Sequence, residues 1–167
     1  PTNVFYASEF RYSPPPLLPN TLTIGVTQSG ETADTIAAID MEIKRRSSKE
    51  DKKFTPNLIA ITNRKESSIG RQVLNIIDIC AGIEVGVAAT KTFFGQLLSF
   101  YGLAIKFAQI KGTQSSDEVD KLITELIKLP PLIEDLLEQH NESSEKLAHD
   151  FFNIKDVIFL GRGINYP

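Results

Sequence analysis

Apolar residues fall into short runs and longer helical stretches that alternate along the chain. Leu22-Thr23-Ile24-Gly25-Val26, Leu58-Ile59-Ala60-Ile61-Thr62 and Ile76-Ile77-Asp78-Ile79-Cys80 are brief, β-prone and bounded by polar turns, which predicts strands. Leu22–Val26 is so nearly apolar that burial on both faces is expected, as for parallel strands covered by helices. Asn3-Val4-Phe5-Tyr6-Ala7 predicts a further short strand, before Ser8-Glu9-Phe10-Arg11-Tyr12 and the rigid Pro14-Pro15-Pro16. From Thr32 to about Arg46 the apolar positions recur at helical spacing, and from Lys91 to Ala108 they are apolar almost all round. The second helix is therefore expected to be buried on more than one side, part of it at a subunit interface. Ser67-Ser68-Ile69-Gly70-Arg71 reads as a brief serine-capped helix, and Thr90 as a cap for the long helix. A helix from Asp117 to Lys128 ends at Pro130-Pro131, which starts another through Leu137, with a third segment around Leu147, Phe151 and Phe152. Asp156–Leu160 closes the pattern as a strand.

Short strands alternating with helices predict an open, mainly parallel α/β sheet, whose ligands sit at the carboxyl ends of the strands. Two strand-to-helix loops stand out. Thr27-Gln28-Ser29-Gly30-Glu31-Thr32 joins a strand to a helix N-terminus, where unpaired backbone N–H groups and the helix dipole favour an anion and three hydroxyls add donors. Ala81–Lys91 is rich in small residues that let backbone approach a ligand or a neighbouring segment closely.

Composition narrows the chemistry. The 167 residues suffice for one globular domain with a core, and 18 Lys and Arg against 21 Asp and Glu leave no basic excess to hold nucleic acid. The single cysteine, Cys80, builds no disulfide framework, and no Cys/His cluster has metal-ligand spacing. No apolar stretch has the length of a membrane span, and no signal peptide precedes the first elements, so a soluble cytoplasmic protein without metal or cofactor is expected. His140 and His149 lie among polar residues and read as surface groups. Neither a Gly-x-x-x-x-Gly-Lys-Ser/Thr loop nor a Gly-x-Gly-x-x-Gly follows a strand, which favours a small phosphorylated metabolite over a nucleotide.

Thr27-Gln28-Ser29-Gly30-Glu31-Thr32-Ala33-Asp34-Thr35 resembles the Ser-Gln-Ser-Gly-Glu-Thr-x-Asp-Thr signature of sugar isomerase (SIS) domains. Tyr6–Tyr12, Ala81–Lys91 and Phe159–Pro167 resemble, in order, segments of the isomerase half of the glutamine:fructose-6-phosphate aminotransferases, or glucosamine-6-phosphate synthases. The resemblance implies a flavodoxin-like three-layer sandwich that binds fructose 6-phosphate or glucosamine 6-phosphate. Thr27, Gln28, Ser29 and Thr32 would hold the phosphate, and Val87 and Ala89 would lie beside the sugar. Two positions depart from the family's pattern. Thr27 stands where serine is usual, which keeps the hydroxyl, and Ala89 stands where serine is usual, which removes it.

The same resemblance implies a glutaminase domain and a second SIS domain elsewhere in the parent chain, and a homodimer. Its catalytic lysine, glutamate and histidine belong to the second domain, so no catalytic residue is assigned here. The chain is expected to be an excerpt comprising a first SIS domain without its first strand (1–112), a helical connector (113–155) and the start of the second domain (156–167). Asp156–Leu160 is expected to replace the missing strand or to pair with a neighbouring molecule. Two other readings compete: a phosphosugar sensor attached to a transcription regulator, and a stand-alone sugar-phosphate isomerase using Glu84 and Lys91.

Overall fold

The computed structural model describes residues 2–86, 88–158 and 160–161. The described residues up to Ile110 form one compact unit and those from Lys111 onward a second. In the first unit, strands β1 (Leu22–Val26), β2 (Asn57–Thr62) and β3 (Asn75–Asp78) form a parallel sheet in the order β1-β2-β3. Ile24 pairs with Ile59, and Ile61 with Ile77. Helix α1 (Ala7–Phe10) precedes the sheet, α2 (Ala33–Ser47) links β1 to β2, α3 (Ser68–Gln72) links β2 to β3, and α4 (Lys91–Lys111) follows β3.

The core lies where α2 and α3 cover the sheet. Ile39, Ala60, Ile69 and Val73 are buried together, with Ile36, Ile43 and Leu58 packed against them. Gly25 is the strand position that permits this closeness. A Cβ there would stand 3.1 Å from Ile39 Cδ1 and 3.2 Å from Ile69 Cδ1, so a larger residue would force the helices outward.

A second anchor is ionic. Glu42 and Arg46, one helical turn apart on α2, are both buried, with Arg46 Nε donating to Glu42 Oε1 at 2.7 Å. Arg46 Nη1 also donates to the Leu18 carbonyl, and Arg45 joins Glu42 Oε2 to the Pro15 carbonyl. The segment after the three prolines is thereby fastened to α2, with its carbonyls satisfied by guanidinium groups.

Several predicted elements differ. Residues 3–6 form no strand: no strand pairs with them among the described residues, and the Tyr6 carbonyl instead accepts from Phe10 N to close α1, with the Phe5 and Phe10 rings 5.4 Å apart. Strand β3 stops at Asp78, because Cys80 has φ +56° and Asp78 Oδ1 takes the Cys80 N–H. β1 is less covered than expected, since among the described residues only β2 has a strand on both sides; Leu22 is exposed while Gly25 is buried. α4 is also less buried than its composition predicts, with Phe93, Phe100, Tyr101 and Phe107 exposed.

In the second unit, α5 (Ser116–Ile127) opens with a reciprocal capping box. Ser115 Oγ accepts from Glu118 N while Glu118 Oε2 accepts from Ser115 N. Pro130 and Pro131 occupy the first turn of α6 (Leu129–Phe151), where their missing N–H groups are harmless. α6 is one helix rather than the two segments predicted, because no Gly or Pro interrupts residues 132–151 and their polar side chains tolerate helix. Residues 156–158 and 160 form no strand, and the sheet of the described residues contains β1, β2 and β3, so among the described residues this segment does not take the place of a missing strand; Phe159 and Arg162–Pro167 lie outside the described residues. An apolar run becomes a strand only when a neighbour accepts its backbone groups.

Glu42→Ala is expected to destabilise the chain by about 3–5 kcal/mol by leaving Arg46 buried and uncompensated. Replacing Glu42 and Arg46 together with methionine is expected to cost less, as equilibrium urea unfolding of both variants would show.

Candidate functional site

The segment Thr27–Thr32 leaves the carboxyl end of β1 and enters α2, as the apolar pattern on either side requires. Its interior hydrogen bonds are short-range. Gly30 N donates to Thr27 Oγ1 at 3.2 Å, Thr27 Oγ1 and Thr32 Oγ1 share a hydrogen bond of 2.8 Å, and Glu31 N donates to Ser29 Oγ at 3.1 Å. Thr27 is buried, Ser29 half-buried and Thr32 exposed, so the hydroxyls run from the floor of the turn to its rim. Thr32 is the N-cap of α2, yet its side chain caps nothing. The first-turn N–H groups are left without a capping side chain, the situation in which a helix N-terminus attracts an anion.

The turn is locked from below by α3. Ile69 N donates to the Gly30 carbonyl, and Ser68 N to Glu31 Oε1 at 2.8 Å. Gly30 has φ +70°, and a Cβ there would fall on the Ser67 side chain. Glycine is thus required twice, by backbone conformation and by space. The Glu31 carboxyl is held below the ordinary carboxylate range, first by its bond to Ser68 and further by the positive charges of Arg71 and Arg64.

Residues at the end of β2 tie the two strand-to-helix loops together. Asn63 N donates to the Gln28 carbonyl, its Oδ1 accepts from Ala81 N at 2.9 Å, and its Nδ2 donates to the Gly82 carbonyl at 2.6 Å. Thr62, fully buried, donates to the Gln28 carbonyl from Oγ1. In the second loop, Glu84 accepts from Thr92 N at 3.1 Å and from the hydroxyls of Thr92 and Thr90. Those bonds, led by the one to the Thr92 side chain, hold its carboxyl below the ordinary range. Glu84 therefore supplies the acceptor at the start of α4, and Thr90 donates to it.

Of the predicted site residues, Thr27, Gln28, Ser29 and Thr32 share one turn. Ala89 is exposed in the loop before α4, and no hydrogen bond among the described residues joins it to that turn. Val87 lies outside the described residues. Sequence reasoning passed over Asn63 and Ser67; the only available signal was position, a polar residue directly after a strand and a serine at a helix start. Ser67 also departs from its expected cap role, since its Oγ is buried and makes no hydrogen bond, while Glu31 takes the helix N–H instead. A depression of about 490 Å³ lies at the opposite, amino end of the strands, lined by Asn20, Thr21, Asn57 and Asn75 among others. Among the described residues no cluster of three or more His, Cys, Asp or Glu could hold a metal, and no helix is long and apolar enough to cross a membrane.

A family model described as the SIS domain matches residues 1–106. The chain belongs to the SIS-domain family. Over all 167 residues it is 56% identical to a glutamine–fructose-6-phosphate aminotransferase (isomerizing) of Thermosynechococcus vestitus and 54% identical to that of Synechocystis. It spans 26% of the length of each of these relatives. Among solved structures, the C-terminal domain of glucosamine-fructose-6-phosphate aminotransferase from Francisella tularensis superposes with a TM-score of 0.81 at 29% identity, over 96% of this chain and 43% of that one. The three parallel strands with their helices are accordingly the SIS-type α/β fold.

Two outcomes follow from the geometry. Ser67→Ala, unlike an ordinary loss of a serine cap, is expected to leave stability unchanged or to raise it by about 1 kcal/mol, because an unpartnered buried hydroxyl is removed; denaturant midpoints measure this. Glu31 has a lowered folded pKa, so its contribution is present above the ordinary carboxylate range and is lost as pH falls through the lowered value. Thermal midpoints taken from roughly pH 6 to 3 should therefore fall less steeply in Glu31→Gln than in the unaltered chain.

Proposed function

We propose that the chain is the sugar-phosphate-binding portion of a glutamine:fructose-6-phosphate aminotransferase, the enzyme that makes glucosamine 6-phosphate from fructose 6-phosphate and glutamine. The observation that carries this reading is the uncapped start of α2, where backbone donors and the Thr27, Ser29 and Thr32 hydroxyls meet at the carboxyl end of a parallel strand. Thr27, Gln28, Ser29 and Thr32 bind the phosphate, while Val87 and Ala89 lie beside the sugar. Ala89, without a hydroxyl, offers only backbone and a methyl group there.

Reaction chemistry is not assigned to this segment. Glu84, the carboxylate that the stand-alone isomerase reading would use, is committed to the start of α4. The remaining functions belong to a longer cytoplasmic parent with a glutaminase domain and a second SIS domain, residues 1–112 being the first SIS domain, 113–155 a connector and 156–167 the entry to the second. The exposed aromatic side chains of α4 support a parent that is a homodimer, since apolar surface of this kind is usually covered in an assembly.

Fructose 6-phosphate or glucosamine 6-phosphate should raise the thermal midpoint of the chain, and fructose should not. At about 100 times the dissociation constant the stabilisation amounts to about 2.7 kcal/mol. Ser29→Ala should reduce the response. Equal responses to fructose and fructose 6-phosphate would defeat the assignment of a phosphate site.

A further inference from the structure

Asp34 stands in the first turn of α2, immediately behind the segment assigned to the phosphate. A carboxylate at that place is drawn to the same helix field as a bound anion and repels it. Its Oδ1, however, accepts from Arg11 Nη1 at 2.6 Å. Arg11 lies 23 positions away, at the C-cap of α1, and its guanidinium rests 4.8 Å from the centre of the Tyr12 ring. The two side chains are 32% and 45% exposed, so water screens the pair and its contribution to folding stability is small. Its local effect is larger than its effect on the fold. The neighbouring carboxylate, Glu31, is already compensated by the Ser68 N–H and by the field of Arg71 and Arg64. With Arg11 present, neither acid at the entrance to α2 faces an anion uncompensated; without it, Asp34 does.

We propose that Arg11 is a positioning residue for phosphate binding, holding Asp34 in an ion pair so that the first-turn N–H groups of α2 are left to the ligand. This inference rests on the phosphate reading of the turn.

The test titrates the 167-residue chain with fructose 6-phosphate by calorimetry at low ionic strength, with fructose as the uncharged control, and compares Arg11→Met, Arg11→Lys, Asp34→Asn and the double variant R11M/D34N. Arg11→Met should bind fructose 6-phosphate about three- to tenfold more weakly, with its ligand-free thermal midpoint little changed. Arg11→Lys should recover most of the affinity. Asp34→Asn alone should bind at least as tightly as the unaltered chain, and the double variant should return to within about twofold of it. The deficit of Arg11→Met should narrow as salt is raised. A role confined to tethering α1 predicts a double variant as weak as Arg11→Met, and that result overturns the proposal, as does a weakened Asp34→Asn or an undiminished Arg11→Met. An unaltered chain that ignores fructose 6-phosphate overturns the phosphate reading and this inference with it, whereas tight binding unaffected by Arg11→Met overturns this inference alone.

Discussion

Gly30 gives its amide to Thr27 Oγ1, its carbonyl to Ile69 N and its α-carbon face to Ser67, all while holding a positive φ. These four conditions bring together the exit of β1, the entry of α2 and the start of α3. A side chain at this position would separate the turn from α3 and remove the support that Glu31 gives to the Ser68 N–H. The open donors at the start of α2 depend on this. They are held in place by bonds made by their neighbours, so they need none of their own to be fixed.

The same division of labour runs across the carboxyl edge of the sheet. Thr62, Asn63 and Glu84 direct their polar atoms to backbone groups of the loops, and these bonds fix loop shape without occupying the rim. Asn63 is the clearest case, because its backbone N–H holds the loop after β1 while its side chain holds the loop after β3. Among the described residues, Glu31, Glu84 and Glu118 serve as helix-start acceptors, and for each of them hydrogen bonding favours the charged form. The start of α2, the longest helix packed on the core, has no such acceptor at its N-cap.

Apolar surface follows a different logic. The core beneath α2 and α3 is closed, but among the described residues β1 lies at the edge of the sheet and α4 exposes aromatic rings. The relatives that the chain matches are longer, the chain spanning 26% of their length. On α4 a composition suited to a buried helix is found on an exposed one.

Local pattern alone determined the three main strands, the helices after β1 and β3, and the polar turn between β1 and α2, because these features depend on periodicity and on residues adjacent in sequence. The signature from Thr27 to Thr35 also identified the family, since its hydroxyls, glycine and acid lie in one continuous stretch. Tertiary structure decided what depends on distant partners. Tyr6 entered a helical turn because no strand received its neighbours, and 156–160 lacked a strand in its described residues for the same reason. Asn63 became a bridge, Ser67 a backing rather than a cap, and Arg11 the partner of Asp34, through contacts spanning 18 to 37 positions. Sequence spacing carries the local rules, whereas a hydrogen bond between distant groups exists only after packing has brought them within about 3 Å.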